Sequence, residues 1–214
     1  MLKDLFSLNG PYVRAMNYLW NLLLISVLWL LCCIPVITIG ASTLAAYYAA
    51  AKCVRHQTGK VIPEFFSAFR SNFRQATLFT LIYEGVLCFL IIDCVYIYYD
   101  TTIPLAVLYL FYFLVLVTMA DAMYLFPCMS RFAMKHFPLF RMATVILSRR
   151  ILTTILLLFL AAGVLAAVYL MPWGIFLFPG LGFLLLTYLM EPVLLAVSPK
   201  PEPGSPESEK WYYQ

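Results

Sequence analysis

The chain has 214 residues, of which 64% are hydrophobic and only 11% charged, and its mean hydropathy is +0.91. That composition cannot supply the polar surface a soluble domain of this size requires, so soluble enzymes, DNA-binding domains and secreted disulfide scaffolds are excluded. What remains is an all-α integral membrane bundle with room for five or six helices of about 20 residues each. The net charge is +4, and its distribution sets orientation. Lys52, Arg55, Lys60, Arg70 and Arg74 form one basic segment, and Arg131, Lys135, Arg141, Arg149 and Arg150 form another. The positive-inside rule puts both in the cytoplasm, and because topology accounts for them no nucleic-acid partner is expected.

In chain order the apolar runs are Tyr18 to Ile39, Ala76 to Tyr99, Ile103 to Phe126, Ile151 to Met171 and Trp173 to Val197. Each is long enough to span a bilayer. The first reads as an uncleaved anchor, being too long for a signal peptide and lacking a small-residue cleavage site. Residues 41–55 leave two readings open. Either the stretch returns through the membrane with Lys52 and Arg55 snorkelling inward, giving six helices and a cytoplasmic N-terminus, or it lies in the interface and there are five. Lys3 and Arg14 against Asp4, and the small residues Gly40, Ala41, Ser42, Ala45, Ala46, Ala49 and Ala50, favour six. Residues 1–197 are expected to form one membrane-embedded domain. The tail from Ser198, rich in Pro, Ser and Glu, is expected to be disordered and cytoplasmic.

The six cysteines include no C-x-x-C pair and read as buried small hydrophobes. His56 and His136 stand alone, and no phosphate-binding loop, dinucleotide fingerprint or nucleophile elbow is present. No catalytic residue, cofactor or metal ligand is therefore assigned.

Two features stand above the hydrophobic background. In IPEFFSAFRSNFRQA, Ile62, Phe65, Phe66, Phe69 and Phe73 recur at spacings of three and four, with Glu64, Ser67, Arg70, Ser71 and Arg74 on the other side. This pattern predicts an amphipathic cytoplasmic interfacial helix. It is either a collar on its own bundle or a docking surface formed by Phe65, Phe66, Phe69, Arg70, Asn72, Phe73 and Arg74. The second feature is the set of ionisable residues inside the apolar runs, which raise a functional hypothesis by their cost in hydrocarbon. Glu84, Asp121 and Glu191 all fall in the cytoplasmic half by residue count. With Arg14, Asn17 and Asn21 on the first helix they are expected to form one polar layer. That layer is either interhelical glue or a proton- or cation-responsive site.

The run FSLNGPYVRAMNYLWNLLLISVLWLLCCIPVITIGASTLAAYY, continuing through KCVR to Phe65, Phe66, Phe69, Asn72, Phe73, Gln75 and Ala76, resembles the YesL-like family of bacterial membrane proteins of unknown function. The resemblance covers about the first 80 residues and is strongest from Pro35 to Thr43. It implies a multi-pass protein of the bacterial cell membrane, without enzymatic activity, associated with carbohydrate uptake of the ABC type. The partners so implied are the lipid bilayer and the subunits of an ABC-type sugar permease, and a homo-oligomer is compatible with the pattern. The expected function is thus a non-enzymatic accessory role in carbohydrate uptake or envelope physiology, with a stand-alone proton- or cation-coupled transporter or channel as the alternative.

Overall fold

The computed structural model describes residues 11–100, 104–132 and 134–198. The expected disordered tail beyond Ser198 and the charges of Lys3 and Asp4 lie outside the described residues, as does the side chain of Arg14. The described chain is 91% helical, with no strand among these residues. Seven α-helices follow one another: α1 (Pro11–Cys33), α2 (Ile39–Ala49), α3 (Val61–Tyr99), α4 (Leu105–Arg131), α5 (His136–Arg149), α6 (Ile151–Leu170) and α7 (Phe178–Val197). Helices α1, α3, α4, α6 and α7 are long and apolar enough to cross a membrane. The all-α membrane bundle expected from composition is the fold observed.

The first apolar run is cut short at Cys33. Pro35 disfavours helical backbone at Ile34 and offers no N–H, so the chain turns through a short 3-10 segment, Val36–Thr38. The Thr38 hydroxyl accompanies the turn by donating to the carbonyls of Pro35, at 2.7 Å, and Cys32, at 2.5 Å.

Helix α2 then runs back along α1. Trp29 Nε1 donates to Thr43 Oγ1 at 3.2 Å and Ser42 Oγ donates to the Trp29 carbonyl at 3.0 Å, while further along Gln57 reaches Tyr18. Such pairings, early with late, define antiparallel helices. Eleven α-helical residues and six in a π-helical continuation, Ala50–Arg55, make α2 shorter than the spans around it. Helices α1, α3, α4 and α7 all pack against it. Gly40, Ala41, Ala45, Ala46, Ala49 and Ala50 are buried, and these small residues let the surrounding backbones close in. At Gly40 the approach is tightest: a Cβ there would lie 2.0 Å from Thr80 Oγ1 and 2.4 Å from the Phe126 ring.

Helix α3 corrects one expectation. The amphipathic segment from Ile62 to Arg74 is not a separate interfacial helix but the first part of a single 39-residue helix. After Pro63, tolerated in the first turn, no proline interrupts it. At 1.5 Å per residue the helix is about 58 Å long, well beyond a hydrocarbon core of about 30 Å. Lys52 pairs with Glu64 at 2.7 Å and Gln75 Nε2 donates to the Met134 carbonyl at 3.0 Å, so α3 runs antiparallel to both α2 and α4.

Helix α5 turns back along α4 instead of standing away from it, bringing Thr144 to Asp121. In α7, Gly180 lies so close to α1 that a Cβ would sit 2.2 Å from the Leu22 carbonyl oxygen. These pairings gather Pro11, residues 56–60, residues 131–136 and Ser198 at one end of the bundle. Residues 34–38, Asp100 and the 3-10 segment Pro172–Phe176 lie at the other.

Candidate functional site

Two buried carboxylates organise the interior. Glu191 of α7 is 1% exposed. Tyr47 of α2 donates its hydroxyl to Glu191 Oε1 at 3.1 Å, and Arg131 at the end of α4 forms an ion pair with Oε2. Helices α2, α4 and α7 therefore meet on one carboxylate. Alongside, Arg55 Nη1 donates to the Thr187 carbonyl at 2.6 Å and its guanidinium stacks over the Tyr188 ring at 4.8 Å. This contact ties the end of the π-helical segment to α7. In the adjoining loop, burial holds the His56 imidazole below its ordinary pKa.

The second carboxylate, Asp121 of α4, is 6% exposed. Tyr83 of α3 donates to its Oδ2, and Thr144 of α5 donates to Oδ1 at 3.1 Å. Both partners are neutral hydroxyls. Asp121 also lines a cavity of about 530 Å³ between α3, α4 and α5, together with Phe79, Tyr83, His136, Phe140 and Thr144.

The expected single polar layer is divided. Asp121 stands ten residues from Arg131 on the same helix, a rise of about 15 Å, so its centre is distinct from that of Glu191. Glu84 joins neither, and its buried Oε1 has no hydrogen-bond partner. Asn17 and Asn21 line a separate small cavity with Tyr18, Cys53, Gln57 and Gly59 at the basic end. Among the described residues no three His, Cys, Asp or Glu side chains come together as a metal site.

The aromatic stripe of α3 faces inward. Phe65 is fully buried, Phe69 and Phe73 pack against the core, and the three rings follow one another at centroid distances of 6.3 and 5.4 Å. Phe66, Arg70 and Arg74 point outward, and Asn72 is half-buried, donating to the Ala68 carbonyl at 3.1 Å. Phe65, Phe69 and Phe73 thus form a collar on their own bundle, while the exposed face carries Ile62 and Phe66 beside Arg70 and Arg74.

Sequence reasoning did not single out Tyr47, Tyr83 or Thr144. Their hydroxyls matter only because another helix brings a carboxylate to them, and within an apolar run a tyrosine reads as one more aromatic residue. Chemically, the arrangement pins carboxylates between helices and leaves one of them bordering a cavity. No curated protein and no solved structure matches the chain. Residues 22–94, running from the middle of α1 through α2 into α3 and including Tyr47 and Tyr83, match the model of the family described as a protein of unknown function, DUF624, which is the YesL-like family the sequence resembles.

Proposed function

We propose that the protein is a non-enzymatic accessory component of a membrane uptake system, a carbohydrate permease of the ABC type, and that it docks through its basic end. The observation that carries this reading is the exposed set Lys60, Arg70, Arg74, Lys135, Arg141, Arg149 and Arg150, held on the rigid starts and ends of α3, α5 and α6. Glu64, the acid nearest the first three in the chain, is already paired with Lys52. The exposed positive charges are therefore available to an acidic surface. By the positive-inside rule this end, with the start of α1 and the end of α7, faces the cytoplasm of a bacterial cell. The interior supports the same reading: Glu191 and Asp121 are tied to donors on other helices, as structural contacts within a bundle would be.

Affinity purification of the full chain in mild detergent, from cells grown on the inducing sugar, tests the proposal. A permease subunit should co-purify with the wild type and be lost with Arg70→Glu plus Arg74→Glu at unchanged protein level. Absence of any permease, or retention by the charge-reversed variant, overturns it.

A further inference from the structure

The cavity beside Asp121 has a chemistry that the docking role does not use. Its volume, about 530 Å³, is that of a small-molecule site. Phe79, Tyr83, Phe137 and Phe140 contribute aromatic rings to its lining, and Asp121 is its carboxylate. Phe137 is 75% exposed and Phe140 42%, so the cavity opens on the outside of the bundle.

A buried carboxylate in apolar surroundings needs neutralising, and elsewhere in this protein Glu191 has Arg131 for that purpose. Among the described residues Asp121 is hydrogen-bonded by the hydroxyls of Tyr83 and Thr144, one on each oxygen, and His136, which lines the same cavity, forms no ion pair with it. A carboxylate offers about four lone-pair sites, so capacity remains for a further positive partner. Aromatic rings attract an organic cation through their negative faces, and low dielectric strengthens its attraction to the carboxylate.

We propose that this cavity is a binding site for a lipophilic organic cation: a monovalent positive centre on an apolar body, entering past Phe137 and Phe140, balanced by Asp121 and surrounded by aromatic rings. An acyl chain would fill the apolar volume but leave the carboxylate unbalanced.

The test uses the full chain in phosphatidylcholine nanodiscs with radiolabelled tetraphenylphosphonium as the probe. Saturable binding is expected. Asp121→Asn, which keeps the size of the side chain and an acceptor for the neighbouring hydroxyls, should weaken it at least tenfold. Asn17→Ala, remote from the cavity, should leave it unchanged. Competition on the wild type keeps the proposal falsifiable if the Asp121 variant does not fold: unlabelled tetraphenylphosphonium should displace the label and uncharged triphenylphosphine oxide should not. No saturable binding, equal binding by Asp121→Asn, or equal displacement by the uncharged compound would overturn it.

Discussion

Arg131, at the end of α4, forms an ion pair with Glu191 of α7, and the two side chains are 3% and 1% exposed. Breaking such a pair from one side leaves an uncompensated buried charge and costs about 3–5 kcal/mol, whereas replacing both partners with apolar residues is often neutral. Arg131→Met and Glu191→Leu should therefore each lower the unfolding temperature and the amount of protein in the membrane severely. The double variant should recover most of the loss. Thermal unfolding in detergent, followed by size-exclusion fluorescence, reads all three. Losses that simply add in the double variant would show that the pair is not coupled.

The close approach at Gly40 gives a comparison within one chain. Gly40→Ala places a methyl against Thr80 and Phe126 and should destabilise by about 1–3 kcal/mol through overpacking. At Gly85 of α3 an added Cβ would meet nothing within 4 Å, so Gly85→Ala should be neutral or stabilising by up to about 1 kcal/mol from helix propensity. Unfolding temperatures measured side by side decide it, and the same sign for both would count against the packing described.

Ser26 of α1 supplies a cap to another helix. The first N–H groups of a helix lack partners within it, and Leu177, preceding α7, provides no side-chain cap. Instead Ser26 Oγ accepts from the Gly180 N–H at 2.7 Å and donates to the Leu22 carbonyl at 3.2 Å. Ser26→Ala should cost about 0.5–2 kcal/mol, the range for losing a cap. Ser26→Gly should cost no less, since it also lacks the acceptor. Hydrogen exchange at the start of α7 should accelerate in both variants, and unchanged exchange at Gly180 would remove the cap from the account.

The antiparallel course of α1 and α2 fixes which ends share a side. In a background with the native cysteines replaced, Thr58→Cys and Ser198→Cys should label from the same side of the membrane, and Asp100→Cys from the other. A membrane-impermeant maleimide on intact cells and on inverted vesicles makes the distinction. Labelling of positions 58 and 198 from opposite sides would rule out the arrangement.

Much of this architecture is legible in the sequence for a local reason. A membrane helix satisfies its backbone hydrogen bonds within its own segment, so hydropathy, proline and charge along the chain mark the spans and the basic end without reference to other segments. The run Ala76–Tyr99 accordingly falls within α3, Ile151–Met171 covers α6, and Trp173–Val197 takes in α7 and most of the 3-10 segment before it. The small residues from Gly40 to Ala50 likewise announced close packing.

Partnership around the axis is another matter, and only the tertiary structure decided it. Residue counting estimates how deep an acid lies but not which neighbour it faces. Tyr83 and Glu84 are consecutive and thus about 100° apart on the helix. The first meets Asp121, 38 residues away, while the second leaves an oxygen without a partner. Glu191 finds Tyr47 across 144 residues and Arg131 across 60. The sequence determined that a few acids would be buried in a membrane bundle with one basic end. Side-chain direction and helix crossing, which no local pattern encodes, determined that those acids form separate centres and that one of them borders a cavity.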